Sequence, residues 1–83
     1  MNYMNKMMDM TTFINEEELQ ILFGSELAKL RKQCKYKQLE LAEKAGISGQ
    51  QLSNIEKGRC APSLKTINKI LLALNARLRI EPL

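Results

Sequence analysis

Between positions 38 and 56 the chain encodes two short helices with almost nothing between them. The run Gln38-Leu39-Glu40-Leu41-Ala42-Glu43-Lys44-Ala45 puts Leu41, Ala42 and Ala45 on one helical face. Gly46 follows, the residue that enters the left-handed conformation of a helix C-terminus without a steric penalty. Only Ile47 separates it from Ser48, and Ser48-Gly49-Gln50-Gln51 has the form of a capping box, with Ser48 as cap and Gln51 returning the bond. The second helix carries Leu52 and Ile55 inward and stops at Lys57-Gly58. With a glycine stop and so short a connection the two helices cannot run on in line. They cross at a wide angle and share a core.

The rest of the chain must complete that core. Asn15-Glu16-Glu17-Glu18 is a second capping box, and Leu19, Leu22, Phe23, Leu27, Leu30 and Cys34 follow on one stripe. Gly24-Ser25 interrupts the stripe, so the first helix either tolerates Gly24 at a cost of about 1 kcal/mol or breaks and restarts with Ser25 as cap. Ser63 caps a longer helix that turns Leu64, Ile67, Ile70, Leu71 and Leu74 toward the core and ends near Asn75. Residues 76–81 alternate apolar with charged side chains until Pro82, the pattern of one strand. Residues 1–14 are rich in Met and Asn, without period or cap, and read as a disordered or loosely held lead. The expected organisation is a lead over 1–14, a helical domain over 15–75 and a strand over 76–83. At 83 residues, this is near the lower limit for one core and too small for a two-domain enzyme.

The side-chain inventory excludes most catalysis. There is no His, and the two cysteines, Cys34 and Cys60, have no CxxC spacing, so no metal site or Cys/His nucleophile is expected. No carboxylate pair or glycine-rich phosphate loop stands out, and no cofactor is called for. The first residues lack the apolar region of a signal peptide, and the apolar runs at 21–23 and 70–74 are too short to span a bilayer. These features predict a reduced, cytoplasmic protein with no membrane segment.

The charge is uneven. The chain carries 13 basic and nine acidic residues, yet residues 1–23 hold one Lys against four acids and residues 24–83 a net +7. Lys29, Arg31, Lys32, Lys35 and Lys37 form one cluster, and Lys57, Arg59 and Lys65 a looser one. Such a balance suits a polyanion, although a plain solvated lysine surface has the same composition. The second short helix separates these alternatives. Its outward residues, Ser48, Gly49, Gln50, Ser53, Asn54 and Lys57, are small, amide-bearing or basic. Gln and Asn pair in bidentate fashion with adenine N6 and N7, and Ser bonds to most base edges. A helix of this kind, after so tight a turn, fits the major groove of double-stranded DNA.

The pattern Gln38-x-x-Leu41-Ala42-x-x-x-Gly46-Ile47-Ser48, then Leu52-Ser53-x-Ile55-Glu56-x-Gly58, then Pro62-Ser63, resembles the Cro/cI or Xre class of helix-turn-helix repressors over about residues 25–75. The resemblance implies an all-α, lambda-repressor-like bundle of four or five helices, with Gln38 on a phosphate and the face from Ser48 to Asn54 reading bases. It also implies a partly buried structural ion pair between Arg31 and Glu56. Two departures bear on where the second helix starts: Lys37 stands in place of the usual Ser or Thr cap, and Lys35 in place of Gly or Asn. Residues 73–82 look like the short strand of HipB-type antitoxins, which pairs across a homodimer and here would place Leu78 and Ile80 at the seam. A lone strand needs a partner on physical grounds as well. In full, the resemblance implies an autorepressor on a palindromic operator that also binds and neutralises a HipA-type serine/threonine kinase toxin. A phage-type or regulatory Xre repressor without a toxin, and a pure protein-interaction module, are the alternatives.

Overall fold

A computed structural model describes residues 15–82, so the expectation for residues 1–14 lies outside the described residues. Among the described residues there are four helices and no strand: α1 (Glu16–Gln33), α2 (Gln38–Ala45), α3 (Gly49–Glu56) and α4 (Leu64–Leu74). α2 packs on both α3 and α4, and α1 packs on α3. Leu27, Leu41, Ala42, Ala45, Leu52, Ile55, Ile70, Ala73 and Leu74 make the core, with Phe23, Leu30, Tyr36, Ile47, Cys60 and Ala76 packed around it.

The helix starts follow their caps. Asn15 Oδ1 accepts from the Glu18 N–H at 2.8 Å while Glu18 Oε1 accepts from the Asn15 N–H, completing the first capping box. Ser48 and Ser63 accept from the N–H groups of Gln51 and Thr66. The return bond expected from Gln51 is absent, so α3 has a simple serine cap; the Gln51 side chain is exposed. α2 starts at Gln38 despite the missing hydroxyl. Lysine has no acceptor to offer, and instead the Glu40 carboxylate accepts from the Lys37 N–H at 2.7 Å.

All four helices end alike. Lys35, Gly46, Gly58 and Asn75 have positive φ, at 66°, 76°, 72° and 53°. The N–H of each bonds back to a carbonyl of the last turn, and the next residue's N–H reaches one further back, as from Tyr36 to Arg31 and from Ile47 to Ala42. This pairing satisfies two otherwise orphaned carbonyls per helix. Lys35 carries it out in a conformation that costs a side-chain-bearing residue about 1 to 2 kcal/mol.

α1 is continuous through Gly24, and the reason is tertiary. A Cβ on Gly24 would stand 2.2 Å from the Ile55 carbonyl oxygen and 2.7 Å from that of Glu56. Only a bare Cα lets α1 rest directly on the end of α3. The same closeness shortens the core stripe. Gly24, Leu27 and Arg31 are the buried positions of α1, whereas Leu19, Leu22 and Cys34 are exposed, contrary to the stripe read from the sequence. α3 has ended by the level of Gly24, and only the Gly58 turn, against Ile21, continues beneath α1. Leu64 is exposed as well, because α4 buries itself only from Ile67 onward.

Residues 76–82 have no regular secondary structure in the single chain. Leu78 lies along an open apolar groove with Leu19, Leu22, Phe23, Leu30 and Leu71, and Arg77 and Arg79 lie at its edge. Ile80 is almost fully exposed.

Candidate nucleic-acid interface

α2 and α3 are joined through Gly46, Ile47 and Ser48, with Ile47 packed on the core, so the turn itself is anchored. Leu52 and Ile55 are fully buried beneath α3, which fixes the opposite face outward. On that face Ser48, Gln50 and Lys57 are exposed, and Gly49, Ser53 and Asn54 are half-buried. Gln50 Nε2 donates to Asn54 Oδ1 at 3.1 Å, one helical turn apart. This bond leaves the Gln50 carbonyl as an acceptor and the Asn54 NH2 as a donor, a complementary set for a base edge that carries both kinds of group.

Gln38 sits at the first position of α2, where its backbone N–H is not needed by the helix. Its side chain, half-buried, donates from Nε2 to Glu56 Oε1 at 3.0 Å. One amide hydrogen therefore holds the fold, while the other and the backbone N–H are left for an anion at the helix N-terminus.

Glu56 is the hub. Arg31 Nε donates to Glu56 Oε2 at 2.7 Å and Arg31 Nη2 to Glu56 Oε1 at 3.0 Å, a bidentate pair. Arg31 Nη1 donates to the Tyr36 carbonyl at 2.9 Å. Side-chain exposures of 11% for Arg31 and 6% for Glu56 take the pair out of water. The pair joins the last turn of α1, the Tyr36 connection, the start of α2 and the end of α3. It also removes Arg31 from the basic cluster read along the sequence. Lys29, exposed, is engaged by Glu26 at 3.0 Å. Lys35 and Lys37 ahead of α2, and Lys57 and Arg59 beyond α3, are exposed and flank the two-helix unit at both ends.

Two features escaped the sequence. Tyr36 accepts at its hydroxyl from Lys44 Nζ at 2.6 Å, with the ammonium 5.0 Å from the ring centre. Leu39 is exposed on α2 yet lies against Gly49. A leucine off the Leu41, Ala42 and Ala45 face was the only available signal. No cluster of metal-ligating side chains occurs among the described residues, and no helix among them is long and apolar enough to cross a membrane.

An anchored two-helix unit with an amide-bearing outer helix and flanking lysines is the arrangement of the helix-turn-helix class. A family model described as helix-turn-helix matches residues 27–80, well over half of the chain, and the chain belongs to that family, in its Cro/cI (Xre) form. Two proteins of Bacillus phage phi105 are similar to it: the ImmF control region 10 kDa protein, 39% identical over 69% of this chain, and the immunity repressor protein, 41% identical over 61%. Antitoxin HigA1 of Mycobacterium tuberculosis is 36% identical over 83% of this chain. The matches span 63%, 35% and 46% of those three proteins, so the chain covers about half the length of these relatives. The restriction-modification controller protein C.AhdI from Aeromonas hydrophila superposes with a TM-score of 0.74 at 26% identity, over 77% of this chain and 93% of that one.

Proposed function

We propose that this chain is a dimeric, sequence-specific repressor that places α3 in the major groove of a palindromic operator, working in the cytoplasm where that DNA lies. The observation that carries the reading is the Gln50 and Asn54 amide pair on the exposed face of a helix buried on its other side. In this reading Ser48, Gly49, Gln50, Ser53 and Asn54 meet base edges, while Gln38, Lys57 and the flanking lysines meet phosphates. Gln50→Ala and Asn54→Ala are each expected to lose about 1 to 3 kcal/mol on the cognate duplex and almost nothing on scrambled DNA. Lys57→Ala, at a phosphate position, is expected to weaken both duplexes alike. Mobility shifts on the two duplexes read the difference; equal losses for the α3 amide variants on both would remove α3 from the groove.

The dimer in this reading forms through residues 76–82, pairing as a two-stranded ribbon with Leu78 and Ile80 on its apolar side. Exposed Leu72, Leu78 and Ile80 support it, since each is left to solvent in the single chain.

A second role, as the antitoxin of a toxin-antitoxin pair, is supported by the similarity to antitoxin HigA1 and by the HipB-like pattern of residues 73–82. The proposed partner is a HipA-type serine/threonine kinase, an assignment that rests on the tail pattern alone. Co-expression with the product of the adjacent reading frame is expected to yield a complex that lacks kinase activity. A neighbour without kinase activity, or the absence of a complex, would withdraw the antitoxin role and leave the repressor standing.

A further inference from the structure

Leu39 is 73% exposed, although it stands two residues from Leu41, which is fully buried. A Cβ built on Gly49 would lie 2.6 Å from Leu39 Cδ2, so the tip of Leu39 occupies the space that a side chain at position 49 would fill. Gly49 is the first residue of α3, and the first residues of a groove-bound helix are those nearest the base edges. Leu39, Ala42, Ile47 and Gly49 together line a shallow depression bordered by Glu43. The surface here is therefore apolar and continuous with the reading face, and its most exposed apolar side chain, Leu39, belongs to α2. In the major groove one base presents an apolar group of matching size, the C5-methyl of thymine.

We propose that Leu39 is a specificity-determining residue that reads a thymine methyl in each half-site, in place of the side chain that Gly49 lacks. The inference rests on the placement of α3 in the groove. Gly49 then serves by being small: it lets a residue of α2 reach the base edge beside Gln50. A longer residue at position 49 would take over that contact and push Leu39 aside.

Deoxyuridine differs from thymidine only by the missing methyl, which makes it the probe. In the duplex that the wild-type protein enriches from a randomised pool, thymines are replaced one at a time. One position per half-site is expected to weaken wild-type binding about threefold to fivefold, the effect of exposing one buried methyl. Leu39→Ala is expected to bind the thymine and uracil duplexes equally. Gly49→Ala, whose added methyl displaces only the flexible tip of Leu39, is expected to keep its melting temperature and lose the same discrimination. Retention of methyl discrimination by Leu39→Ala would overturn the assignment, as would a wild-type protein indifferent to every methyl. A uniform loss on all duplexes would place Leu39 on the sugar-phosphate backbone and overturn it too. Failure to enrich any sequence would instead refute the groove placement, and Leu39 with it.

Discussion

Replacement of Glu56 by alanine is expected to lower folding stability by about 3 to 5 kcal/mol, because it leaves the Arg31 guanidinium buried without its carboxylate. Three hydrogen bonds to Glu56 vanish together, two from Arg31 and one from Gln38. The remaining bond, from Nη1 to the Tyr36 carbonyl, cannot neutralise a cation. A domain of this size has about 5 to 15 kcal/mol in total, so a large part of its margin disappears. The paired change behaves differently: Arg31→Met with Glu56→Leu removes both charges and is expected to recover most of the loss. Chemical denaturation of the two variants measures this directly. A loss below about 1 kcal/mol for Glu56→Ala is the behaviour of an exposed pair and contradicts the burial described above.

Truncation after Ala76 is expected to weaken DNA binding more than any single substitution. Ending there preserves the bond from the Ala76 N–H to the Leu71 carbonyl that closes α4, so the bundle is expected to melt almost as before. The apolar positions Leu78 and Ile80 are gone, and with them the proposed ribbon. Binding a palindrome then becomes two separate events. Loss of the tether is expected to reduce operator affinity by roughly 10² to 10⁴, the usual gain from linking two weak sites. Leu78→Pro is expected to act in the same direction by deleting a ladder donor. Sedimentation of the truncated protein is expected to find a monomer at micromolar concentration; a dimer there would remove residues 77–82 from the interface.

What could be read along the chain was what is decided within a turn or two. The caps at Asn15, Ser48 and Ser63 and the left-handed stop at Gly46 are local chemistry, and each is where its residue type requires. Leu41, Ala42, Ala45, Leu52 and Ile55 are buried because two short helices in a tight turn have only one way to cover them. Local sequence leaves the course of α1 through Gly24 open because the answer lies in the carbonyls of Ile55 and Glu56, some thirty residues away. Leu19, Leu22 and Leu64 are exposed for a related reason. Periodicity identifies an apolar stripe but says nothing about how far the neighbouring helix extends, and α3 is too short to cover the start of α1. Lys35 stands where Gly or Asn is usual and keeps the left-handed conformation those residues favour, although lysine rarely takes it; the bond from Tyr36 to Arg31 holds it there. The sequence marks Leu39 only as a leucine off the buried face of α2, because the glycine it lies against, Gly49, belongs to the next helix.

If α3 reads sequence, enrichment of bound duplexes from a randomised pool, followed by titration at two salt concentrations, is expected to give a two-fold symmetric consensus whose half-sites lie about one helical turn apart. Affinity for that consensus is expected to be at least about 10³-fold above that for scrambled DNA, with both affinities falling as salt rises. A pool that shows no consensus, or equal affinity for consensus and scrambled duplexes at both salt concentrations, would contradict sequence reading by α3.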